Sequence, residues 1–360
     1  MNRYSRHIIL SDIGQQGQDK LSKAKVLVVG AGGLGCPVLQ YLTAAGIGNL
    51  GIIDFDIVEE SNLQRQVLFG TSSLGMNKAI AAKKRLEDLN PTISIDAISE
   101  KLTTENALQL FKQYDIVVDG SDNFATRYLV NDAAILCNKP FVYGAIYKFE
   151  GQVSVFNYNK GPGYRCLFPN PPKEGSVANC SEVGVLSVLP GIIGTMMANE
   201  VIKIILGFEH VLSGKLLCYN SKTADISTLK VNRNQSEFDK VLGKEKLLGI
   251  YENESCEVLV KDISEEELAT INNIQFIDVR EPHEQPKLEI KNCMEIPLGH
   301  LESNLQLLDS DKTKVVFCQS GIRSKKAVEL LMKQGFNDTF NFKGGVFPLV
   351  EALKQNIYER

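Results

Sequence analysis

A buried strand that runs directly into a glycine-rich loop constrains the fold of this chain more than any other feature. Residues 25–29 are Lys-Val-Leu-Val-Val, which reads as a buried strand. The loop after it has glycine at four positions, Gly30, Gly32, Gly33 and Gly35, and a helical segment follows. Asp54 ends the next strand-like segment. This pattern predicts a nucleotide site with phosphate at a helix N-terminus and ribose on the acid, and alone it fits NAD, FAD and ATP equally well.

Strand-like and helix-like segments alternate through most of the chain. Early strands are predicted at 50–56, 93–98, 114–119 and 140–143, with helices over 37–45 and 77–89 between them. Later strands at 151–158 and 216–220 are expected to be antiparallel. Such alternation is typical of a doubly wound, Rossmann-like, mostly parallel sheet.

A second and smaller α/β pattern follows a polar segment. Strands are predicted at 275–280 and 314–318, and a helix follows the second of them. The intervening text at 233–255 is rich in charge and reads as a linker. The expected organisation is therefore a domain over 1–232, the linker, and a domain over 256–360.

Composition narrows the classes of partner. A formal net charge of -4 on 360 residues gives no reason to expect nucleic acid or an anionic membrane surface as partner. The 8 cysteines form no dense framework, and the start of the chain has no long apolar run, so a reducing, cytoplasmic location is expected. The apolar segment 183–198 contains Pro190 and is followed by Glu200 and Lys203, so it is predicted to be a buried helix pair and not a membrane span.

Charged and amide side chains follow the glycine loop at 54–66, at 78, and at 122–123 after the strand predicted at 114–119, and they discriminate between the possible nucleotides. They are Asp54, Asn62, Arg65, Gln66, Lys78, Asp122 and Asn123. A dehydrogenase has no need of this cluster. A triphosphate site does need it, because fixed cations and amides must meet the charge that develops at phosphorus, and a carboxylate can hold Mg²⁺ beside the phosphates.

At these positions the chain closely resembles the ThiF/MoeB/HesA family, the prokaryotic relatives of ubiquitin-activating enzymes. The matching segments span roughly 1–232 and are residues 3–10, 30–35, 54–56, 61–66, 78, 121–123 and 166–169. The resemblance implies that ATP adenylates the C-terminal glycine of a small ubiquitin-fold protein ending in Gly-Gly.

The resemblance also implies roles for single residues. Asp54 would hold the ribose, while Asn62, Arg65 and Lys78 would hold the phosphates. Gln66 and Asn123 belong to the same nucleotide-binding segments, and Asp122 would bind Mg²⁺. Arg6 reaches the triphosphate from the partner subunit in that family, so a homodimer is expected; for Arg65 and Lys78 a solvated charged face is the plainer alternative.

This chain departs from the family pattern at its zinc-binding cysteines and agrees with it at Cys180. Family members often hold a structural zinc with two Cys-x-x-Cys pairs, but here Gly163 stands where the first cysteine belongs and only Cys166 remains. One thiolate cannot make a tetrahedral site, so no zinc is predicted. Cys180 matches a family cysteine and is expected to act as an acyl or disulfide partner, the alternative being an incidental loop thiol.

A cysteine at a strand end marks the chemistry of the second domain. Cys318 follows a strand-like run, and a turn and a helix come after it, an environment that favours a thiolate and binds an anion. Four residues separate Cys318 from Arg323, and in cysteine-type phosphatases five precede the arginine, a place taken here by Ser324. The shorter loop suits a terminal sulfur, so Cys318 is predicted to carry a persulfide whose pKa is lowered by Arg323 and the loop amides. A structural strand-end cysteine is the alternative.

The surroundings of Cys318 resemble a rhodanese domain over about 255–360. The matching segments are 278–281, 296–298, 318–324 and 344–346. The two resemblances together imply adenylation of a sulfur-carrier protein of ThiS or MoaD type, followed by sulfur transfer from Cys318 to give a thiocarboxylate. Sulfur would come from a cysteine desulfurase or another donor, for thiamine, molybdopterin or thiolated tRNA.

Two other functions remain open from sequence. One is an NAD-dependent Rossmann oxidoreductase with an accessory sulfurtransferase domain, which rests on the glycine loop and Asp54 alone. The other is a non-enzymatic scaffold whose two sites have decayed. Binding of ATP with Mg²⁺, but not NADH, would exclude the oxidoreductase, and pyrophosphate release with a carrier protein would exclude the scaffold.

Overall fold

A computed structural model describes residues 3–172, 184–243, 247, 260–271, 273–288, 290 and 293–358. The chain divides into two compact units, Met1–Asn253 and Glu254–Arg360.

The first unit is built on an eight-stranded sheet in the order β3-β2-β1-β4-β5-β6-β7-β8. The strands are β1 Lys25–Val29, β2 Asn49–Ile53, β3 Ser94–Ile98, β4 Ile116–Asp119, β5 Phe141–Tyr147, β6 Glu150–Phe156, β7 Lys215–Asn220 and β8 Ile226–Lys230. Strands β1 to β5 pair in parallel, and β6, β7 and β8 extend the sheet as antiparallel strands. The predicted doubly wound sheet with later antiparallel strands is confirmed.

Helices flank this sheet and carry the loops at its edge. They are α1 Ser5–Ile8, α2 Gly14–Lys23, α3 Gly35–Ala45, α4 Lys78–Leu89, α5 Ala107–Gln113, α6 Phe124–Leu136, α7 Tyr164–Leu167, α8 Leu189–Leu206 and α9 Gln235–Leu242. Helix α3 follows the glycine loop directly, and its C-cap Gly46 takes a left-handed conformation with φ of 82°. That conformation costs glycine little and ends the helix cleanly.

Helix α8 accounts for the long apolar segment. Its 18 residues are apolar enough to cross a membrane by length and composition, but half of the segment is buried inside the protein. Ile193, Met197 and Val201 are fully buried in the core that α8 shares with α3 and the sheet. The segment forms one core helix that starts at Leu189, not the predicted pair, because Pro190 fits only the first turn of a helix.

Helix α9 lies within the segment predicted as a linker. Phe238 and Val241, three residues apart, are buried against α6, and the side chain of Asn234 accepts a hydrogen bond from Ser236 N at the helix start. A helix that buries one apolar face belongs to the domain it packs on, so the first unit extends past residue 232.

The second unit is a five-stranded parallel sheet in the order β11-β10-β12-β13-β9. Its strands are β9 Lys261–Ile263, β10 Ile274–Asp278, β11 Cys293–Glu295, β12 Thr313–Phe317 and β13 Thr339–Phe342. Its helices are α10 Glu265–Leu268, α11 Ile322–Lys333 and α12 Val346–Tyr358. Two apolar clusters fill the unit, one of which includes the buried side chain of Cys318.

Candidate functional site

The carboxyl ends of β1, β2 and β4 open into a cleft in the first unit. Most of the nucleotide-binding candidates line it, namely Gly30, Gly32, Gly33, Asp54, Arg65, Gln66, Lys78, Asp122 and Asn123. These residues come from five separate segments of the chain. Ligands of open parallel sheets bind at this edge, so the cleft is the expected position of a nucleotide.

Close backbone contacts fix the glycine loop. Gly30 adopts φ of 90°, and a Cβ built on Gly35 would lie 1.9 Å from the carbonyl oxygen of Gly30. A side chain at Gly35 is therefore excluded by packing, and this glycine supports the cleft without lining it.

Asp54 connects β2 to the same loop. Its two carboxylate oxygens accept hydrogen bonds from Ala31 N at 2.7 Å and Asp56 N at 2.9 Å. Burial raises the pKa of Asp54, and these two N–H groups and Lys78 only partly offset the effect. The carboxylate is 9% exposed and lines the cleft, so it both holds the loop and presents an acceptor there.

Two cations, Arg65 and Lys78, come from the part of the chain between β2 and β3. Lys78 begins α4 and is largely buried, and its Nζ lies 3.0 Å from Asp56 Oδ2. Arg65 is half-buried, and its Nη1 donates to the carbonyl oxygen of Ser61 at 3.0 Å. Both side chains line the cleft.

The end of β4 and the loop after it carry two aspartates, one of them buried and the other exposed in the cleft. Asp119 is fully buried, and its Oδ1 accepts hydrogen bonds from the N and Oγ of Ser121 at 3.0 and 2.6 Å. Asp122 is exposed and lines the cleft. Asn123 also lines it, but its side-chain oxygen caps α6 by accepting from Thr126 N at 2.9 Å.

Arg127 is a cleft residue that sequence reasoning missed. It is 9% exposed, and its Nη2 donates to Ser121 O at 3.3 Å while its guanidinium lies 5.7 Å from the ring centre of Tyr143. Among the described residues, Arg127 Nε and Gln66 Oε1 are buried polar atoms without a hydrogen-bond partner, and both residues line the cleft. Such atoms are uncommon in proteins and mark where a ligand or water completes the bonding. The signal in the sequence was an arginine four residues after Asn123, one helical turn away.

Three other candidates lie elsewhere. Asn62 is buried outside the cleft lining, and its Oδ1 accepts from Glu59 N at 3.2 Å, where it caps a short 3₁₀ turn. Arg6 is exposed on α1 and does not line the cleft of its own chain. Cys180 lies outside the described residues.

Cys166 occupies the place where the family pattern has a zinc site. Its Sγ accepts hydrogen bonds from Gly163 N at 3.4 Å and Asn234 N at 3.2 Å. In the described part of the chain, no cluster of three or more His, Cys, Asp or Glu residues could hold a metal ion. The donor set around this thiol does not fit zinc, and the absence of zinc stays a prediction.

The second unit places Cys318 between β12 and α11. Its Sγ is fully buried and lies 3.2 Å from Gly321 N and 3.4 Å from Ser324 Oγ. Burial acts to raise the pKa of Cys318, but hydrogen bonds from the side chain and backbone of Ser324 and from the N–H groups of Ser320 and Gly321 outweigh it and lower the pKa. The loop therefore favours a thiolate, as sequence predicted, and Ser324 is a contributor that was not foreseen.

Arg323 has a hydrogen-bond partner that was not predicted from the sequence. Its two Nη atoms donate to Glu284 at 2.6 and 2.7 Å. The hydrogen bonds from Arg323 lower the pKa of Glu284 to about 2, although partial burial opposes the shift. The direct hydrogen bonds to the thiolate come from the loop amides and Ser324, whereas the guanidinium makes its hydrogen bonds to Glu284 and acts on Cys318 only through its charge. Sequence gave no sign of this contact, because 39 positions separate the partners.

Comparison with known proteins agrees with the geometry of both units. Residues 4–240 match the ThiF family, and residues 262–352 match the rhodanese-like domain. The chain is 41% identical over 99% of its length to a protein of Mycobacterium tuberculosis named probable adenylyltransferase/sulfurtransferase MoeZ, 94% of which is covered. It is also 53% identical over 65% of its length to the sulfur carrier protein adenylyltransferase of Thermus thermophilus, 88% of which is covered.

A solved structure shares the fold of the first unit. The crystal structure of E. coli MccB with ATP aligns with a TM-score of 0.57 and 27% identity, over 65% of this chain and 72% of that chain. Adenylation, the first of the functions considered from sequence, is thus favoured over the NAD-dependent oxidoreductase. The chain belongs to the ThiF family, and the union of that domain with a rhodanese-like domain makes it an adenylyltransferase and sulfurtransferase.

Proposed function

We propose that the cleft of the first unit binds ATP and adenylates the C-terminal glycine of a ubiquitin-like sulfur-carrier protein ending in Gly-Gly. The observation that carries the proposal is the meeting of the glycine loop, Asp54, Arg65, Lys78 and Asp122 at one sheet edge. An oxidoreductase would leave both cations and Asp122 without a task. The relatives named for adenylation and the MccB structure with ATP support the same assignment.

The chemistry explains why these residue types stand together. The carrier's terminal carboxylate attacks the α-phosphorus of ATP, a P–O bond forms to the carboxylate, and the bond to the leaving pyrophosphate breaks. Two anions approach each other and negative charge grows on the leaving group. Arg65 and Lys78 would neutralise that charge, and Asp54 would hold the ribose so that the phosphorus lies in position.

Mg²⁺ fits the same edge. Asp122 is an exposed carboxylate in the cleft lining, and Mg²⁺ is commonly held by one or two carboxylates together with substrate phosphates and water. The ion would be held by Asp122 and would supply further charge neutralisation at the phosphates.

Two family roles remain proposals for residues away from the cleft. Asn62 would reach the phosphates only after leaving its bond with Glu59 N. Arg6 is exposed on its own chain, which accords with service to the cleft of a partner subunit in a homodimer. Within the cleft itself, Gln66 would offer its partnerless Oε1 to the nucleotide.

The second unit would supply the sulfur. We propose that Cys318 carries a persulfide loaded by a cysteine desulfurase or another donor, and that its terminal sulfur attacks the adenylated carbonyl and displaces AMP. This step gives an acyl disulfide between Cys318 and the carrier. The Cys180 thiolate would then attack Cys318 Sγ, so that a Cys180–Cys318 disulfide forms and the carrier leaves as a thiocarboxylate. We place this chemistry in the cytoplasm. Because both sites are on one chain, the effective concentration of one site at the other would be raised, to roughly the millimolar range.

Carrier-dependent ATP–pyrophosphate exchange tests the adenylation step. Arg65→Ala and Asp122→Ala should each abolish exchange, since loss of one charge-stabilising arginine in phosphoryl chemistry costs on the order of 10³-fold or more. Glu87→Ala, at an exposed position on α4, is the matched control and should keep full exchange. Near-normal exchange in both cleft variants would remove the assignment.

A further inference from the structure

The loop that holds Cys318 presents little unpaired positive charge to an incoming anion. Arg323 is bound by Glu284 through two short hydrogen bonds of 2.6 and 2.7 Å. Arg280, which reaches the loop through Gln319 Oε1 at 3.4 Å, pairs with Asp278 at 2.7 Å. Each guanidinium is therefore neutralised within hydrogen-bond distance by a carboxylate.

Glu284 is ionised at neutral pH, because the hydrogen bonds from Arg323 hold the pKa of its carboxyl at about 2. The side chains of Arg323 and Glu284 are only 25% and 19% exposed, so solvent screens the pair weakly. Arg323 is also close enough to Cys318 for the thiolate to raise its pKa. A small anion that approaches the sulfur thus meets a cation whose charge is already balanced.

Sulfur donors differ in the charge that they bring to this loop. Thiosulfate is a dianion: Cys318 thiolate attacks its outer sulfur, the S–S bond breaks, and sulfite leaves with the electron pair. From cysteine persulfide, the thiolate takes the outer sulfur and a single cysteine thiolate leaves. Both reactions leave the same persulfide on Cys318 with no net redox change, but only the first requires an unpaired cation to hold a small dianion.

We propose that Glu284 is a specificity-determining residue that sets the sulfur donor of Cys318, disfavouring small dianionic donors and leaving alkyl persulfides, including a persulfide on a donor protein, as the substrates. Glu284 acts through Arg323 and does not touch the donor itself. The proposal rests on the persulfide role of Cys318. It names the chemical class of the donor, which the activity alone leaves open.

Steady-state sulfur transfer to cyanide by the full chain, with each donor in turn, tests the proposal. Glu284→Gln keeps a hydrogen-bonding group of the same shape and removes the charge, so kcat/KM for thiosulfate should rise roughly tenfold or more, chiefly through a lower KM. The kcat/KM for cysteine persulfide should change less than about twofold. Glu302→Gln removes the same charge from an exposed side chain of the same unit and should change neither donor.

Two further variants separate this role from a structural one. Glu284→Asp keeps the charge and should use thiosulfate as poorly as the wild type. The double variant Glu284→Gln with Arg323→Gln should lose the gain in thiosulfate use, because the gain depends on a freed guanidinium. Should Glu284→Gln fail to fold, Glu284→Ser gives the same readout.

The outcomes are distinct. An unchanged thiosulfate kcat/KM in Glu284→Gln overturns the proposal, and so does an equal fall with both donors, which would show that Glu284 only supports the loop. If neither donor places sulfur on Cys318 in the wild type, the persulfide role itself is wrong and the donor preference falls with it. A peptide-resolved mass measurement of Cys318 distinguishes that last case from the others.

Discussion

The hydrogen bond from Ser324 to Cys318 should control the reactivity of the thiol. Both side chains are fully buried, and 3.4 Å separates Oγ from Sγ. Burial opposes ionisation of Cys318, and the Ser324 hydroxyl is the first of the contacts that reverse this effect. Ser324→Ala removes that donor and leaves the loop backbone in place, so the pKa of Cys318 should rise.

The size of the effect follows from the contact. A hydrogen bond to a charged group stabilises it by about 1.5–3 kcal/mol, and the length of this one favours the lower limit. Roughly 1.4 kcal/mol is a factor of ten in an ionisation equilibrium. Because the folded loop favours the thiolate, losing the bond favours the thiol, and the rate of Cys318 alkylation near neutral pH should fall about tenfold.

The assay is alkylation of the full chain by iodoacetamide across a pH series, with peptide-resolved mass spectrometry to separate Cys318 from the other cysteines. In Ser324→Ala the midpoint of the rate profile should move to higher pH. Ser303→Ala, an exposed serine of the same unit, should leave the profile unchanged. An unmoved midpoint in Ser324→Ala, with the variant still folded, would refute the reasoning.

Three other results are expected. Gly35→Ala should abolish the stabilisation of the protein by ATP in thermal unfolding, because the new Cβ would lie 1.9 Å from a backbone oxygen. The control Gly70→Ala, whose Cβ would have nothing within 4 Å, should keep that stabilisation. Equal stabilisation of the two variants by ATP would contradict the packing argument. Arg127→Lys should weaken that stabilisation by ATP, because the lysine cannot supply the buried Nε–H, and an unchanged shift would assign Arg127 to the core alone. Glu284 has a folded pKa of about 2, below its ordinary value of 4.5, so its ion pair adds stability that is present above about pH 4.5 and lost as pH falls toward 2. The free energy of unfolding of the wild type should exceed that of Glu284→Gln near neutral pH by on the order of 1 kcal/mol, because solvent screens part of the interaction, and this excess should vanish in acid. A difference that does not depend on pH would contradict the ion pair.

Sequence identified those features whose causes are local. The glycine spacing after β1 follows from the backbone approach at Gly35 and Gly30, and strand ends such as Asp54 reach the cleft because carboxyl ends of parallel strands share one edge. The Cys318 turn was recognisable because strand, loop and helix are consecutive. These elements need no knowledge of distant contacts.

Features that depend on distant contacts were missed. Arg127 reads as an ordinary helix residue until Tyr143 and Ser121 are seen around it. Glu284 could not be joined to Arg323, since no short-range pattern connects a loop after β10 with a loop after β12. Helix α9 reads as linker in the sequence because most of its residues are polar or charged, and its buried apolar side chains are only Phe238 and Val241.

The most direct test of the account is the intact mass of a Gly-Gly-ending carrier protein after incubation with the full chain, ATP, Mg²⁺ and cysteine persulfide. Wild-type protein should exchange one oxygen of the carrier's terminal carboxylate for sulfur. Cys318→Ala should still catalyse carrier-dependent pyrophosphate exchange but leave the carrier without sulfur. Equal thiocarboxylate yield from Cys318→Ala, or no ATP-dependent change in the carrier with the wild type, would contradict the account.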